Sequence, residues 1–177
     1  MLRSLLLSAT VFVFWGCPSN APDLARPIEE GEGGELSSIE LLSTVNVADP
    51  RAGNQLLGGF HQLEQGVWRW TERKFSLILM PPEAVEGAPV ALEFRFSLPE
   101  VVIDRVGAVT IVGRVNGVLL EPQTFAEPGD YFYTRELPPG TLSEEAARVE
   151  IELDRAMPPS DQDPRELGLV ANSIAFK

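Results

Sequence analysis

From Val90 to Leu98 the chain alternates without a break. Val90, Leu92, Phe94, Phe96 and Leu98 are large and apolar, whereas Ala91, Glu93, Arg95 and Ser97 between them are small or polar. Successive side chains of an extended backbone point to opposite faces, so this run predicts a strand with one face in a core and the other in water. The pattern returns at Val109, Ile111, Gly113 and Val115, and again at Val149, Ile151 and Leu153. Asn116-Gly117 follows Val115 and precedes Val118; the pair tolerates two positive φ angles, which predicts a tight hairpin. The chain holds 15 Pro and 15 Gly, too much punctuation for a helical protein. Further strands are expected over Ile39 to Val47, Phe75 to Met80, Asp130 to Leu137 and Leu167 to Phe176. In the last of these, Leu169, Ala171, Ser173 and Ala175 alternate with Val170, Asn172, Ile174 and Phe176, the less hydrophobic set facing outward. Arg51 to Gly59 reads as a loop, and Ser143 to Ala147 as one helical turn capped by Ser143. Short strands separated by turn chemistry predict an all-β, two-sheet antiparallel β-sandwich, with jelly-roll and immunoglobulin-like orders both open.

A length of 177 residues suits one folded domain. The formal charge of -12 repels a phosphate backbone, so nucleic acid is not an expected partner. One Cys and one His exclude an intrachain disulfide and a metal site built from Cys and His alone. Asp161, Asp163 and Glu166 lack the spacing of a calcium loop, and no metal is expected. No glycine-rich phosphate motif is present, and Ser38 and Ser173 lack a nucleophile elbow, so no cofactor is predicted.

Residues 1 to 16 place Arg3 before an apolar run from Leu5 to Trp15, the layout of a secretory signal. The junction Phe14-Trp15-Gly16-Cys17 resembles the cleavage box of bacterial lipoproteins, although Phe14 and Trp15 stand where aliphatic and small residues are usual. That resemblance implies acylation of Cys17, which would also remove an otherwise unpaired thiol in an oxidising compartment. Two or three acyl chains anchor where one is marginal. Pro18 follows Cys17 in place of Asp, and by the same resemblance the protein is expected in the outer membrane of a Gram-negative envelope, facing the periplasm, with secretion and surface exposure as the alternatives. Residues 17 to 35 are rich in Pro, Gly and acidic residues and form the expected linker; residues 36 to 177 form the sandwich domain.

Gly59 to Arg73, reading GFHQLEQGVWRWTER, concentrates the unusual chemistry. Phe60, His61, Trp68, Arg69 and Trp70 could form an aromatic surface with polar donors, of the kind that stacks on a sugar ring. Trp68 and Trp70 share a face by period two, so they could equally close the edge of the sandwich. Near the other end, Asp163-Pro164-Arg165-Glu166-Leu167-Gly168 offers a second Arg and carboxylate at a strand boundary. Glu64, Arg69, Asp163 and Arg165 are therefore the residues of an expected structural clasp. Together the two motifs resemble an uncharacterised β-sandwich module found beside or appended to bacterial glycosyltransferases and in cell-surface polysaccharide contexts.

The expected function is a lipid-anchored, non-enzymatic envelope sandwich whose partners are the membrane, through its anchor, and a glycan or an envelope protein. The alternative is a sugar-modifying enzyme with a shallow acidic site in which Glu64 and Asp163 act as acid and nucleophile. No other catalytic residues are identified.

Overall fold

The computed structural model describes residues 41–82, 89–143 and 145–177. The signal segment, Cys17 and the linker lie outside these residues. The described fold is all-β and antiparallel, a strongly curled sheet forming a half-barrel of sandwich-like topology. Its strands are β1 (Thr44–Asn46), β2 (Leu56–Phe60), β3 (Arg69–Leu79), β4 (Ala91–Leu98), β5 (Val109–Val115), β6 (Val118–Leu119), β7 (Gln123–Phe125), β8 (Gly129–Glu136), β9 (Ala147–Leu153) and β10 (Val170–Phe176), with one helix, α1 (Glu100–Val106). The main order is β6-β5-β9-β3-β10-β4-β8; β1 adds to β10, β2 to β3 and β7 to β5. The two halves expected as separate sheets are joined by a short pairing of β10 with β3, Val170 opposite Trp70 and Ala171 opposite Arg69.

The alternating runs bury the residues that their period assigns. Leu92, Phe94 and Phe96 of β4, Ile111 and Val115 of β5 and Val149 of β9 have no solvent exposure. Phe75 meets Phe94 edge-on at 5.5 Å, Phe94 stacks on Phe96 at 5.0 Å, and Phe96 meets Phe125 at 5.1 Å. These rings link strands of both halves, and burying each contributes about 1.5–3 kcal/mol. Gly113 fits the same core for another reason. A Cβ there would lie 3.0 Å from the Tyr133 ring, whose hydroxyl accepts from Gly113 N and donates to Glu121 O.

Asn116 and Gly117 have φ of 48° and 83°, the left-handed pair of the expected hairpin between β5 and β6. Asn116 also ties its turn to the loop before β9 and to β9 itself, donating from Nδ2 to Thr141 O and accepting from Arg148 N at Oδ1.

Several boundaries differ from expectation. The segment read as a loop, Arg51 to Gly59, contains a 3-10 turn over Pro50–Asn54 and most of β2. Its two glycines hid the strand: Gly59, at φ 76°, sits where a Cβ would come within 2.0 Å of Lys74 O, in a stretch of β2 that shifts register against β3. β3 begins six residues before Phe75, because Arg69 and Trp70 pair with β10 and Thr71 with Phe60 of β2, while the exposed run Glu72, Arg73 and Lys74 breaks the alternation. No helical turn forms among the described residues of Ser143 to Ala147; Ala147 instead opens β9. β10 breaks its period at a register shift between Ala171 and Ser173, so that Leu169 and Ala171 are buried before it and Ile174 and Phe176 after it.

α1 occupies the turn after β4. Pro99 precedes its first residue, and Gly107 ends it at φ 76° with its N–H donated to Ile103 O. Among the described residues no helix is long and apolar enough to cross a membrane.

Candidate functional site

Gly59 to Arg73 and Asp163 to Gly168 meet in space. After β2 the chain makes a tight turn in which Gln65 and Gly66 have positive φ and Val67 N donates to Glu64 O. Glu64 is thereby presented beside the segment that leads into β10. That segment is held at its base by paired hydrogen bonds between Met157 and Leu167, and within it Ser160 Oγ accepts from Gln162 N and Asp163 N. Arg165 fills the space between the two motifs. Its Nε and Nη2 grip both oxygens of Asp163, Nη2 at 2.8 Å, while Nη1 donates to Glu64 Oε1 at 2.7 Å. Hydrogen bonding from this guanidinium, aided by Arg165 N, holds the Asp163 carboxyl at about 2, against 3.8 ordinarily. The same carboxylates push the Arg165 guanidinium upward.

Other motif residues close the same joint. His61 Nε2 lies 2.7 Å from Glu166 O; a carbonyl only accepts, so Nε2 is the donor. Glu166 Oε1 accepts from Arg73 N. Thr71 is fully buried, accepting from Gly168 N at its carbonyl and from Leu169 N at its hydroxyl. A Cβ on Gly168 would lie 2.6 Å from Leu153 Cδ1 and 2.8 Å from Thr71 Oγ1, so glycine is required by close approach.

Arg69 corrects part of the expected clasp. It takes no carboxylate; Nε donates to Val47 O and Nη1 to His61 O. Alternation along β3 also turns it away from its neighbours: Arg69 lines a cavity with Leu56 and Phe60, whereas Trp70 lines a different one. The expected surface of two Trp flanking Arg69 is therefore not assembled. Phe60 packs edge-on against Phe75 at 5.1 Å, and half-buried Trp68 bridges to Glu64 in the turn.

The carboxylates expected as acid and nucleophile meet on a single guanidinium. Arg165 engages Glu64 Oε1 and Asp163 Oδ2, and its Nε also reaches Asp163 Oδ1, so both carboxylates are turned to one cation rather than apart across a scissile bond. This geometry favours a joint over a reaction centre. Among the described residues no group of three or more His, Cys, Asp or Glu could hold a metal ion.

Beside the joint lies a cleft of about 210 Å³. Half-buried Trp70 forms one wall and α1 contributes Val101 and Arg105. The loop before β10 adds Met157, Ser160 and Gln162, with Asp163 and Arg165 at the joint itself. An aromatic wall with a few polar groups is the ordinary make-up of a small-ligand site, and this volume is below that of drug-sized pockets, suited to a single ring. Two larger cavities offer less. The one of about 500 Å³ is lined by Pro89, Pro138, Pro139 and Gly140, with Glu136 its one charged side chain. In the groove of about 370 Å³ on β3, β9 and β5 the charges satisfy one another: Lys74 and Arg114 pair with Glu152, and Arg148 with Glu150. Sequence reasoning found Trp70 but missed Arg105, Ser160 and Gln162. Pro99 and Gly107 bracket α1 and could have revealed the helix, though not what it faces.

No family model and no curated protein matches the chain. Solved structures give loose likenesses. An acetyl xylan esterase, Est2A, from Butyrivibrio proteoclasticus aligns at 11% identity and TM-score 0.42, covering 78% of this chain and 34% of the esterase, so the chain spans about a third of that protein. The carbohydrate-binding module CBM36 in complex with calcium and xylotriose aligns at 12% identity and TM-score 0.41, over 77% of this chain and 100% of that one. A family 35 carbohydrate binding module from an environmental isolate gives 14%, 0.36, 80% and 89% for the same measures. At these TM-scores the likeness does not extend to a shared site or activity, and none of the three is a glycosyltransferase.

Proposed function

We propose that this chain is a non-enzymatic envelope module, held to a membrane by acylated Cys17, that binds a glycan in the cleft between Trp70, α1 and the loop before β10. The observation that carries this reading is the position of Trp70. It is half-buried against the core, hence rigid, yet it forms a wall of a cleft whose other side supplies polar side chains. A fixed indole stacks on the apolar face of a sugar at little entropic cost, and peripheral polar groups read its hydroxyls. The joint of Glu64, Arg165 and Asp163 fixes the loop that completes the cleft, so the two motifs serve binding by positioning. The N-terminal sequence supports the anchor, and the stretch from Pro18 to Gly34 within the linker could stand the domain off a bilayer by up to about 60 Å.

The test is glycan-array binding of the Leu36 to Lys177 domain alongside its Trp70→Leu and Trp68→Leu variants, each checked for folding by its melting transition. Binding that Trp70→Leu abolishes and Trp68→Leu retains supports the cleft. Binding to no glycan, or loss at Trp68 alone, overturns it.

A further inference from the structure

Arg105 is the one charged group lining the cleft that is not spoken for. Arg165 is shared between Asp163 and Glu64, so its donors are committed to the joint, and Arg105 is the guanidinium of the lining that no carboxylate holds among the described residues. It projects from the last turn of α1, is exposed, and has no carboxylate partner among the described residues. The Gln162 carboxamide, also exposed, is likewise unengaged among them.

From this juxtaposition we infer that the cleft takes an anionic sugar, a hexuronate residue, with its ring on Trp70 and its carboxylate on Arg105. The inference rests on the glycan reading above and gives it a substrate class. A neutral sugar needs hydroxyl partners but no free cation. A guanidinium, in contrast, presents a planar fork that matches a carboxylate with two parallel hydrogen bonds. The net charge of -12 opposes acidic polysaccharide at long range, so the contact at Arg105 has to outweigh that repulsion and should strengthen as added salt screens it. Gln162 and Ser160, on the loop fixed by the joint, are placed to meet ring hydroxyls with amide and hydroxyl groups.

The test uses trisaccharides of galacturonate, glucuronate, mannuronate and guluronate, each compared with its own methyl ester, which removes the charge and keeps the ring. Calorimetric titration of the folded domain is expected to show at least one acid binding about tenfold or more tightly than its ester, the size of one charge-assisted hydrogen bond. Arg105→Gln is expected to abolish that difference while leaving melting unchanged, because the residue is exposed and unpaired among the described residues. Acids and esters binding equally, with dependence on Trp70, would overturn the hexuronate inference and leave the glycan reading standing. Neither acids, esters nor the arrayed neutral glycans binding would overturn both. An acid preference that survives Arg105→Gln would also overturn the inference, since the charge would then be read elsewhere.

Discussion

Arg165 Nη1 lies 2.7 Å from Glu64 Oε1, although 101 positions separate the two residues in the chain. The bond joins the turn after β2 to the segment before β10. The side chains are each 35% exposed. Exposed pairs contribute up to about 1 kcal/mol and breaking a buried one costs about 3–5, so Arg165→Ala is expected to cost about 1–2 kcal/mol in urea unfolding. A double-mutant cycle with Glu64→Gln should be non-additive, whereas Arg69→Ala with Glu64→Gln should be additive, because Arg69 bonds to Val47 and His61 carbonyls instead. Additivity at the Glu64–Arg165 pair defeats the clasp.

The depressed carboxyl of Asp163 makes a pH prediction. Its folded value of about 2 lies below the ordinary 3.8, so its contribution to stability is complete above the ordinary value and is lost as pH falls through about 2. The advantage of the wild type over Asp163→Asn in urea midpoint should therefore be constant at neutral pH and shrink between about pH 5 and pH 2. A difference independent of pH across that range contradicts the bond.

Close approach at Gly168 predicts that Gly168→Ala destabilises by about 1–3 kcal/mol, the usual range for overpacking. Gly53, where a Cβ meets nothing within 4 Å, is the control and should change little on the same substitution. Equal thermal shifts in the two variants would show that β3 does not pack against Gly168 as described.

Tyr133 gives an independent check on the core. Burial raises its phenol above the ordinary value of 10.0. The difference between the tyrosinate absorbance curves of wild type and Tyr133→Phe should thus rise above pH 10, and the variant should lose about 1–3 kcal/mol because Gly113 N loses the hydroxyl that accepts from it, whereas Glu121 O keeps Arg135 Nε. A difference curve centred at or below the ordinary value would place that ring in water.

For the proposed anchor, Cys17→Ser is expected to move the full chain out of the membrane fraction of its native host. Mass spectrometry should find the mature wild-type N-terminus acylated at Cys17. An intact, unmodified N-terminus would end that proposal.

The chain by itself determined the strands that bury one face. Over β4 and β9, and over β5 apart from Val112, inward apolar residues alternate with small or polar ones, and that alternation needs no knowledge of the rest of the molecule. Asn116-Gly117 was legible for the same reason, since backbone preference at two positions suffices to define the turn. The tertiary structure decided what depends on register. β2 escaped notice because its glycines show neither alternation nor bulk, and the packing that demands Gly59 comes from Lys74 and Phe75 across the ladder. The bulge after Ala171 reverses which half of β10 is buried, and no local pattern announces it. At the candidate site the residue types were readable but their pairing was not: Arg69 and Arg165 are chemically identical, and only the turn at Glu64 and the loop before β10 select Arg165 for the carboxylates. Arg105 reaches the cleft of Trp70 because α1 follows β4, and β4 pairs with β10 beside β3. A period is a property of neighbours along the chain, whereas a site is assembled by sheet order, which brings distant segments together only when the whole fold forms.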